Sequence, residues 1–307
     1  MINFRYHVVS LAAVFLALAI GLVVGTTALN GPIADSLKVQ LTALKNDNSN
    51  YRDQANQYRD QLSRTGDFAA EIAPSLLTGK LTGRKVLLVV LPGGSDYLDG
   101  VTAMLNTAGA KITAKVTIQD KFFDAGNNLE LLNMAGEASQ PTIPANLLPK
   151  NSDGVETSAA LLAEGLQQQP GTTVTLTDLT AMLTAYTKKN NITVDKGAVP
   201  GADWTVIISG LPPVDHDAAK KAQSAVTLTD QFAAGRPVVV AGNGVGVGNL
   251  VSAIRDDPAL SSKIATVDNA DTTQGQLVAA LTTIKLIDTG KVGHYGLAAG
   301  SSSQIPK

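Results

Sequence analysis

The chain has 307 residues, 44% hydrophobic and 16% charged, so it is long enough for about two domains and too apolar for a disordered protein. Its 24 basic and 26 acidic residues nearly balance, which argues against a nucleic-acid partner. The absence of cysteine excludes disulfides, iron–sulfur clusters and thiol nucleophiles, and three His and four Met leave few ligands for a soft-metal site.

The first predicted element is a transmembrane helix over residues 8–29. This segment carries no charge and is long enough for a bilayer core, which needs about 20 residues. A cleaved secretory signal is the alternative, but its apolar region spans only about 7–15 residues. Arg5 precedes the span, whereas the first cation after it is Lys38. This asymmetry predicts a single-pass protein of the cytoplasmic membrane, with residues 1–7 in the cytoplasm and the large C-terminal domain outside.

The second predicted element is a coiled coil over residues 33–73. In the heptad register that begins at Ala34, ten of the twelve a and d positions are apolar or aromatic. This repeat predicts a left-handed coiled coil, and Asn48 at an a position favours two parallel strands. A helix packed on its own domain is the alternative, although such a helix usually has a wider apolar face. The predicted dimer or partner interface comprises Leu37, Leu41, Leu44, Asn48, Tyr51, Ala55, Tyr58 and Leu62.

The third predicted element is an α/β domain over residues 84–295, joined to the stalk by a linker at residues 74–83, where Pro74 ends the helix. Strand-like segments are residues 86–91, 112–118, 205–209, 237–241 and 264–267. Helix-like segments are residues 95–106, 155–169, 178–189, 215–234, 250–256 and 271–288. This alternation predicts a Rossmann-like, doubly wound and mostly parallel sheet. The proline-containing residues 140–153 are expected to be a loop, and residues 296–307 a flexible tail.

The glycine loop at residues 242–248 is the first place to look for a chemical site. It lies between a predicted strand and a helix, where backbone amides can bind an anion. It fails the G-x-G-x-x-G pattern, and the chain has no Walker A motif. A structural turn is therefore the favoured interpretation. The weak candidates for anion binding are Gly242, Asn243, Gly244 and Gly246.

His216 is a second weak candidate, because it lies between two aspartates and could act as a metal ligand or a base. The favoured interpretation places it at a helix start, where acidic residues are common. No set of residues forms a catalytic site. We therefore expect a protein that is not an enzyme and that has no cofactor and no metal site.

Several segments resemble one family. They are MINFRYHVVSLAAVFLALAIGLVVG at the start, GRKVLLVVLPGG and AGRPVVVAG at two predicted strands, and ATVDNADTTQGQLVAAL and KVGHYG near the end. This is the actinobacterial MctB (copper transport protein B) family, also known through its cell-separation member SteB, and the resemblance covers essentially the whole chain. It implies either copper efflux through the envelope or control of cell separation, the latter through a SteA-type membrane partner and a coiled-coil peptidoglycan hydrolase.

The residues favour cell separation over copper efflux. One span and an α/β domain do not make a pore, and a copper(I) handler normally presents Cys or clustered Met. A paired helix outside the membrane is instead a surface for another helix. The predicted function is a non-catalytic, homodimeric scaffold that regulates cell separation. A copper-transport component of the envelope is the alternative, and an anion- or nucleotide-binding enzyme is less favoured.

Overall fold

The computed structural model describes residues 4–30, 32–139, 143, 147–167 and 173–307, and the chain divides into two compact units, residues 1–64 and 65–307. Helix α1, Phe4–Asn30, lies in the first unit and contains the predicted transmembrane segment. Among the described residues it is the one helix long and apolar enough to cross a membrane. None of the window that meets this test is buried inside the protein. The structure therefore agrees with a membrane-anchored chain.

Helix α2, Pro32–Leu77, is longer than the predicted coiled coil and continues through Pro74. The expectation that Pro74 ends the helix was wrong, because the last turns are held by packing in the second unit. Ala69, Ala73 and Leu77 are buried there in the core. Ile72, which the heptad register assigned to the seam, is partly buried against the same core. The end of α2 thus belongs to the domain rather than to a linker.

A seven-stranded sheet forms the centre of the second unit, in the order β3-β2-β1-β4-β5-β6-β7. Its strands are β1 Lys85–Val90, β2 Lys111–Ile118, β3 Ile192–Val194, β4 Trp204–Ile208, β5 Val238–Ala241, β6 Ile264–Val267 and β7 His294–Tyr295. All neighbouring strands are parallel except β2 and β3. The predicted α/β class and mostly parallel sheet are confirmed. The two short edge strands, β3 and β7, were not predicted.

Helices follow most strands, as the alternation predicts. They are α3 Ser95–Thr107, α4 Asn128–Ala138, α5 Gly154–Gln167, α6 Leu176–Lys188, α7 Ala218–Ala233, α8 Leu250–Asp256, α9 Pro258–Ser261 and α10 Thr273–Thr289. Helices α4 and α9 were not predicted. Of the predicted loop at residues 140–153, only residue 143 and residues 147–153 are described. Residues 168 and 169, at the end of the helix predicted over residues 155–169, also lie outside the described residues.

Two apolar cores cover the two faces of the sheet. Strand β1 shows how they are divided, because successive side chains of a strand point to opposite faces. Leu87 and Val89 belong to the core that includes residues of α4, α5, α6 and α7. Val86, Leu88 and Val90 belong to the core that includes residues of α3, α10 and the end of α2. The strand is therefore buried on both sides, which explains its continuous apolar sequence.

The C-terminal segment is bound to the sheet, although residues 296–307 were expected to be a flexible tail. The amide of Ser302 donates a hydrogen bond to the His294 carbonyl at 2.8 Å, and the amide of Gly296 donates to the Ser303 carbonyl at 3.2 Å. These bonds extend the edge of the sheet beyond β7. The small polar composition of the segment hid this pairing from the sequence analysis.

A buried ion pair also binds residues at the start of this C-terminal segment. Arg255 Nη1 lies 2.9 Å from Asp268 Oδ2, and the two side chains are only 5% and 1% exposed. Arg255 also donates to the Tyr295 carbonyl at 2.9 Å, and Asp268 accepts from the Leu297 amide at 2.8 Å. Since these bonds join α8, the end of β6, β7 and the C-terminal segment to one another, we assign this pair a structural role.

Candidate functional site

In addition to the apolar surface of α1, the first unit exposes the apolar seam of α2. At the end of the register, Ala69 and Ile72 pack in the core of the domain. The predicted interface residues before them lie on one face of the helix and are open to solvent. Their large apolar members are between 60% and 71% exposed. Those members are Leu37, Leu41, Leu44, Tyr51, Tyr58 and Leu62. The other two predicted interface residues, Asn48 and Ala55, are also exposed.

Helix α1 carries a stripe of small residues that the sequence analysis did not single out. Ala13, Ala17, Gly21 and Gly25 are spaced by four and therefore lie on one side of the helix. A Cβ atom added at Gly21 or Gly25 would meet no other atom within 4 Å. Such spacing is typical of spans that pack closely against another helix, and the spacing itself could have revealed it.

The glycine loop is a turn in which the amides of Gly242, Gly244 and Gly246 have partners inside the protein. The Gly244 amide donates to the Asp268 carbonyl at 2.7 Å, and the Gly246 amide donates to Ser252 Oγ at 2.8 Å. The Asn249 side chain accepts hydrogen bonds from the first amides of α8. The amides of these three candidate glycines are therefore already used within the protein. Gly244 and Gly246 have φ values of 70° and 137°, which explains why glycine is needed there.

Among the residues that the structure describes, His216 belongs to no group of three or more His, Cys, Asp and Glu side chains that could hold a metal ion. It precedes α7, is almost fully exposed, and its Nε2 lies 3.0 Å from Asp217 Oδ2. The neighbouring Asp215 binds Lys221 Nζ at 2.6 Å, and Asp124 lies 3.4 Å from the same nitrogen. The hydrogen bond from Lys221 lowers the pKa of the Asp215 carboxyl, and the same bond raises the pKa of Lys221. Both groups therefore stay charged near neutral pH.

A cavity of about 200 Å³ opens where the strand order reverses, between the carboxyl ends of β1 and β4. Doubly wound sheets usually bind ligands at this switch point. Its lining is mostly apolar, and we call it the switch-point cavity. Its walls include Leu91, Phe123, Ser209, Pro212, Ala222 and Leu250. The sequence analysis inspected loops at strand ends but did not predict this apolar space, because Phe123 and Ala222 come from segments distant in sequence.

Comparison with known proteins identifies the family. A family described as "Copper transport outer membrane protein, MctB" matches residues 1–306. The chain belongs to the MctB family. A protein named "Copper transporter MctB" from Mycobacterium tuberculosis is 28% identical over 313 aligned residues, which cover 99% of this chain and 98% of that protein. The protein of the same name from Mycobacterium leprae is 28% identical over 319 aligned residues, with the same coverage of both chains.

The soft-metal ligands of this MctB-family chain are scattered. Met104 lies in one core of the sheet and Met134 and Met182 in the other, and all three are buried. Met1 lies outside the described residues. Among the described residues, no group of three or more His, Cys, Asp and Glu side chains could hold a metal ion. Copper(I) prefers thiolate and thioether ligands, so this donor set gives copper no evident site in the part of the chain that is described.

Proposed function

We propose that this MctB-family chain is a membrane-anchored, non-catalytic component of copper transport in the cell envelope, and that it acts by assembling proteins rather than by conducting the ion. The copper part of the proposal rests on the relatives, which carry the name copper transporter. The assembly part rests on the exposed apolar seam of α2. Exposed apolar surface of this kind usually marks an interface.

The composition of α1 supports assembly over conduction. Helices that line ion pathways carry ionisable or free polar side chains inside the membrane. The Thr26 hydroxyl of α1 donates back to the Leu22 carbonyl at 2.9 Å and lies 3.1 Å from the Val23 carbonyl. No Asp, Glu or Lys occurs between Phe4 and Thr26, and the ionisable residues Arg5 and His7 lie at the start of the helix. We infer that the helix anchors the chain and pairs with a second copy.

Copper accumulation in cells tests this proposal. A strain that lacks the gene is complemented with the wild-type chain, with a seam variant that carries Leu37→Ser, Leu41→Ser and Leu44→Ser, or with the control Val39→Ser, which alters an exposed residue outside the seam. We expect the deletion strain to accumulate copper, the control to restore export, and the seam variant to fail at equal protein level. Normal copper in the deletion strain would refute the copper role. Full rescue by the seam variant would refute the assembly role.

Control of cell separation is the second candidate, and the same seam favours it. A parallel homodimer could pair through α2 with a coiled-coil peptidoglycan hydrolase, while a SteA-type protein binds at the membrane. Deletion of residues 34–64 tests this role, because it removes the seam and leaves the buried end of α2 in the domain. Chains of unseparated cells with normal copper content would support this candidate. Normal separation would contradict it.

The topology and the membrane are part of the same proposal. We place the N-terminus in the cytoplasm, the anchor in the cytoplasmic membrane and the domain outside. Because the chain has no cysteine, a Val214→Cys substitution provides a single thiol at an almost fully exposed position. Labelling by an impermeant maleimide in intact cells is expected, and protection from it would reverse the orientation. Separation of the two membranes by density tests the location, for which the family description names the outer membrane.

A further inference from the structure

The loops around the switch-point cavity expose apolar side chains that neither the fold nor the proposed function uses. Leu211, Val214 and Val247 are 65%, 97% and 101% exposed. Leu211 lines the cavity, Val214 follows the lining residue Pro213, and Val247 precedes the lining residue Gly248. The three side chains therefore lie at the rim of an apolar opening. Apolar patches with polar surroundings on soluble domains usually bind another protein.

The floor of the cavity excludes the nucleotide that this fold often binds. A Cβ atom at Gly210 would lie 2.2 Å from the carbonyl carbon of Gly93, so the loops after β1 and β4 are already in backbone contact. Nucleotide sites instead leave room at this point for a phosphate group. In the nearby glycine loop, the amides of Gly242, Gly244 and Gly246 have partners within the protein. The remaining space is apolar, so it suits an apolar side chain of a partner better than a phosphate group.

The size of the cavity agrees with this occupant. Its volume of about 200 Å³ is below the roughly 300–1,000 Å³ of typical small-molecule sites. Most of the residues that line it are apolar, and the charged residues among them are Asp120 and Lys221. An apolar wall of this size, with charged residues beside it, suits one apolar side chain of a peptide.

The charges beside the cavity indicate the character of the partner. Asp120 lines the cavity, and Asp124 and Asp215 both contact Lys221, which is another lining residue. Asp217 lies between Asp215 and the start of α7 in the sequence. These four carboxylates outnumber the two lysines at the start of α7, Lys220 and Lys221, so the rim is negative. A basic segment fits this rim, whereas an anionic lipid surface would be repelled.

We propose that the switch-point cavity is the docking site for a basic protein segment that inserts one apolar side chain of about the size of leucine. The inserted side chain displaces water from the cavity, and lysine or arginine residues beside it face the aspartates of the rim. This site is separate from the seam of α2 and does not depend on the copper role. It gives the domain a partner-binding function of its own.

The test uses the full-length chain in detergent and a fluorescein-labelled basic peptide that carries one leucine. Three comparison probes are an acidic peptide with the same leucine, a basic peptide with alanine in its place, and anionic lipid vesicles. Fluorescence anisotropy measures peptide binding and co-sedimentation measures vesicle binding. We expect the basic leucine peptide to bind about tenfold more tightly than either peptide control, and more weakly as salt rises.

Substitutions on α7 locate the binding. Ala222→Phe fills the cavity, whereas Ala219→Phe adds the same ring at an exposed position on the same helix. We expect Ala222→Phe to reduce affinity at least about tenfold and Ala219→Phe to leave it unchanged. Val214→Ser with Val247→Ser changes only exposed side chains and is expected to reduce affinity several-fold without altering thermal unfolding. Equal binding of the three peptides, no effect of Ala222→Phe, or preferential binding of the vesicles would overturn the proposal.

Discussion

The two units of the chain differ in how far they bury the same apolar residue type, leucine. In the domain, Leu87 and Leu88 of β1 have no exposed surface, because helices cover both faces of the sheet. In the first unit, Leu41 and Leu44 of α2 are 70% and 66% exposed. The domain therefore completes its own core, whereas the N-terminal helices lack part of theirs. Lipid completes the surface of α1 in our proposal, and another helix completes the seam.

Breaking the buried ion pair is expected to have the largest effect, and only on the domain. Arg255→Met leaves Asp268 buried without its partner, which typically costs about 3–5 kcal/mol of unfolding free energy. Urea unfolding followed by fluorescence measures this loss, because the single tryptophan, Trp204, lies in β4 and reports on the domain alone.

The matched control is Lys263→Met. Lys263 pairs with Asp230, but both side chains are about 40% exposed. Exposed pairs contribute only about 0–1 kcal/mol, so we expect a small change. Equal losses in the two variants would mean that the Arg255 pair does not stabilise the domain. A change in self-association with Arg255→Met would contradict the separation of the two units.

Shortening one seam residue is expected to have the next largest effect, and only on pairing. Leu41→Ala removes apolar surface from both helices of a dimer, which we expect to cost about 3 kcal/mol and to raise the dissociation constant about 100-fold. Sedimentation of the full-length chain in detergent measures this change. Val39→Ala is the control, because Val39 is equally exposed but lies off the seam.

The unfolding curve of the domain, read from Trp204, is expected to stay unchanged in both stalk variants. A monomeric wild-type chain at every concentration would contradict the predicted dimer. Equal effects of the two substitutions would show that the heptad register is wrong.

The sequence alone predicted the regular parts of both units, because their signals are local. A charge-free run predicts α1, a heptad predicts α2, and five apolar runs predict five of the seven strands. The antiparallel β3, Ile192–Val194, escaped because three residues with one buried side chain carry no clear period. The end of α2 escaped because packing of Ala69, Ala73 and Leu77 on the domain outweighs the helix-breaking tendency of Pro74.

The candidate sites also differ in whether a local sequence signal predicts them. The seam could be read from sequence, because its residues recur along one helix. The switch-point cavity could not, since its wall joins Phe123, loops after two strands and Ala222 of α7. The Arg255–Asp268 pair also joins distant segments. A single sequence contains no signal that brings such residues together.

Enlarging the small stripe of α1 tests the first unit at its membrane end. Gly21→Ile places a branched side chain where the spacing predicts close helix contact, and we expect a loss of about 1 kcal/mol in self-association. Val23→Ile, on the opposite side of the helix, is expected to change little. Energy transfer between labelled full-length chains in lipid bilayers measures both. Equal association of the two variants would indicate that only α2 pairs.

Substitution of Glu164 in α5 is expected to have the smallest effect on stability. It tests whether a buried carboxylate without a hydrogen-bond partner destabilises the domain. Its Oε2 is buried without a hydrogen-bond partner among the described residues, and burial raises the pKa of its carboxyl above the ordinary value. A raised pKa in the folded state means that folding favours the protonated form. The stability it contributes is therefore full below the unfolded pKa of about 4.3 and is lost as pH rises through the folded pKa.

Glu164→Gln removes this loss of stability at high pH, because glutamine has the shape of the protonated acid and cannot become charged. We expect the variant to be more stable than the wild type at pH 7 by less than about 1 kcal/mol, since the group is only partly buried, and equally stable at pH 4. Urea unfolding followed at Trp204 measures both, with Glu137→Gln at an exposed position of α4 as the control. A variant that is less stable at pH 7 would mean that the carboxylate is stabilised in the folded domain. The interior of the domain would then stabilise a charged group, unlike the apolar seam of α2.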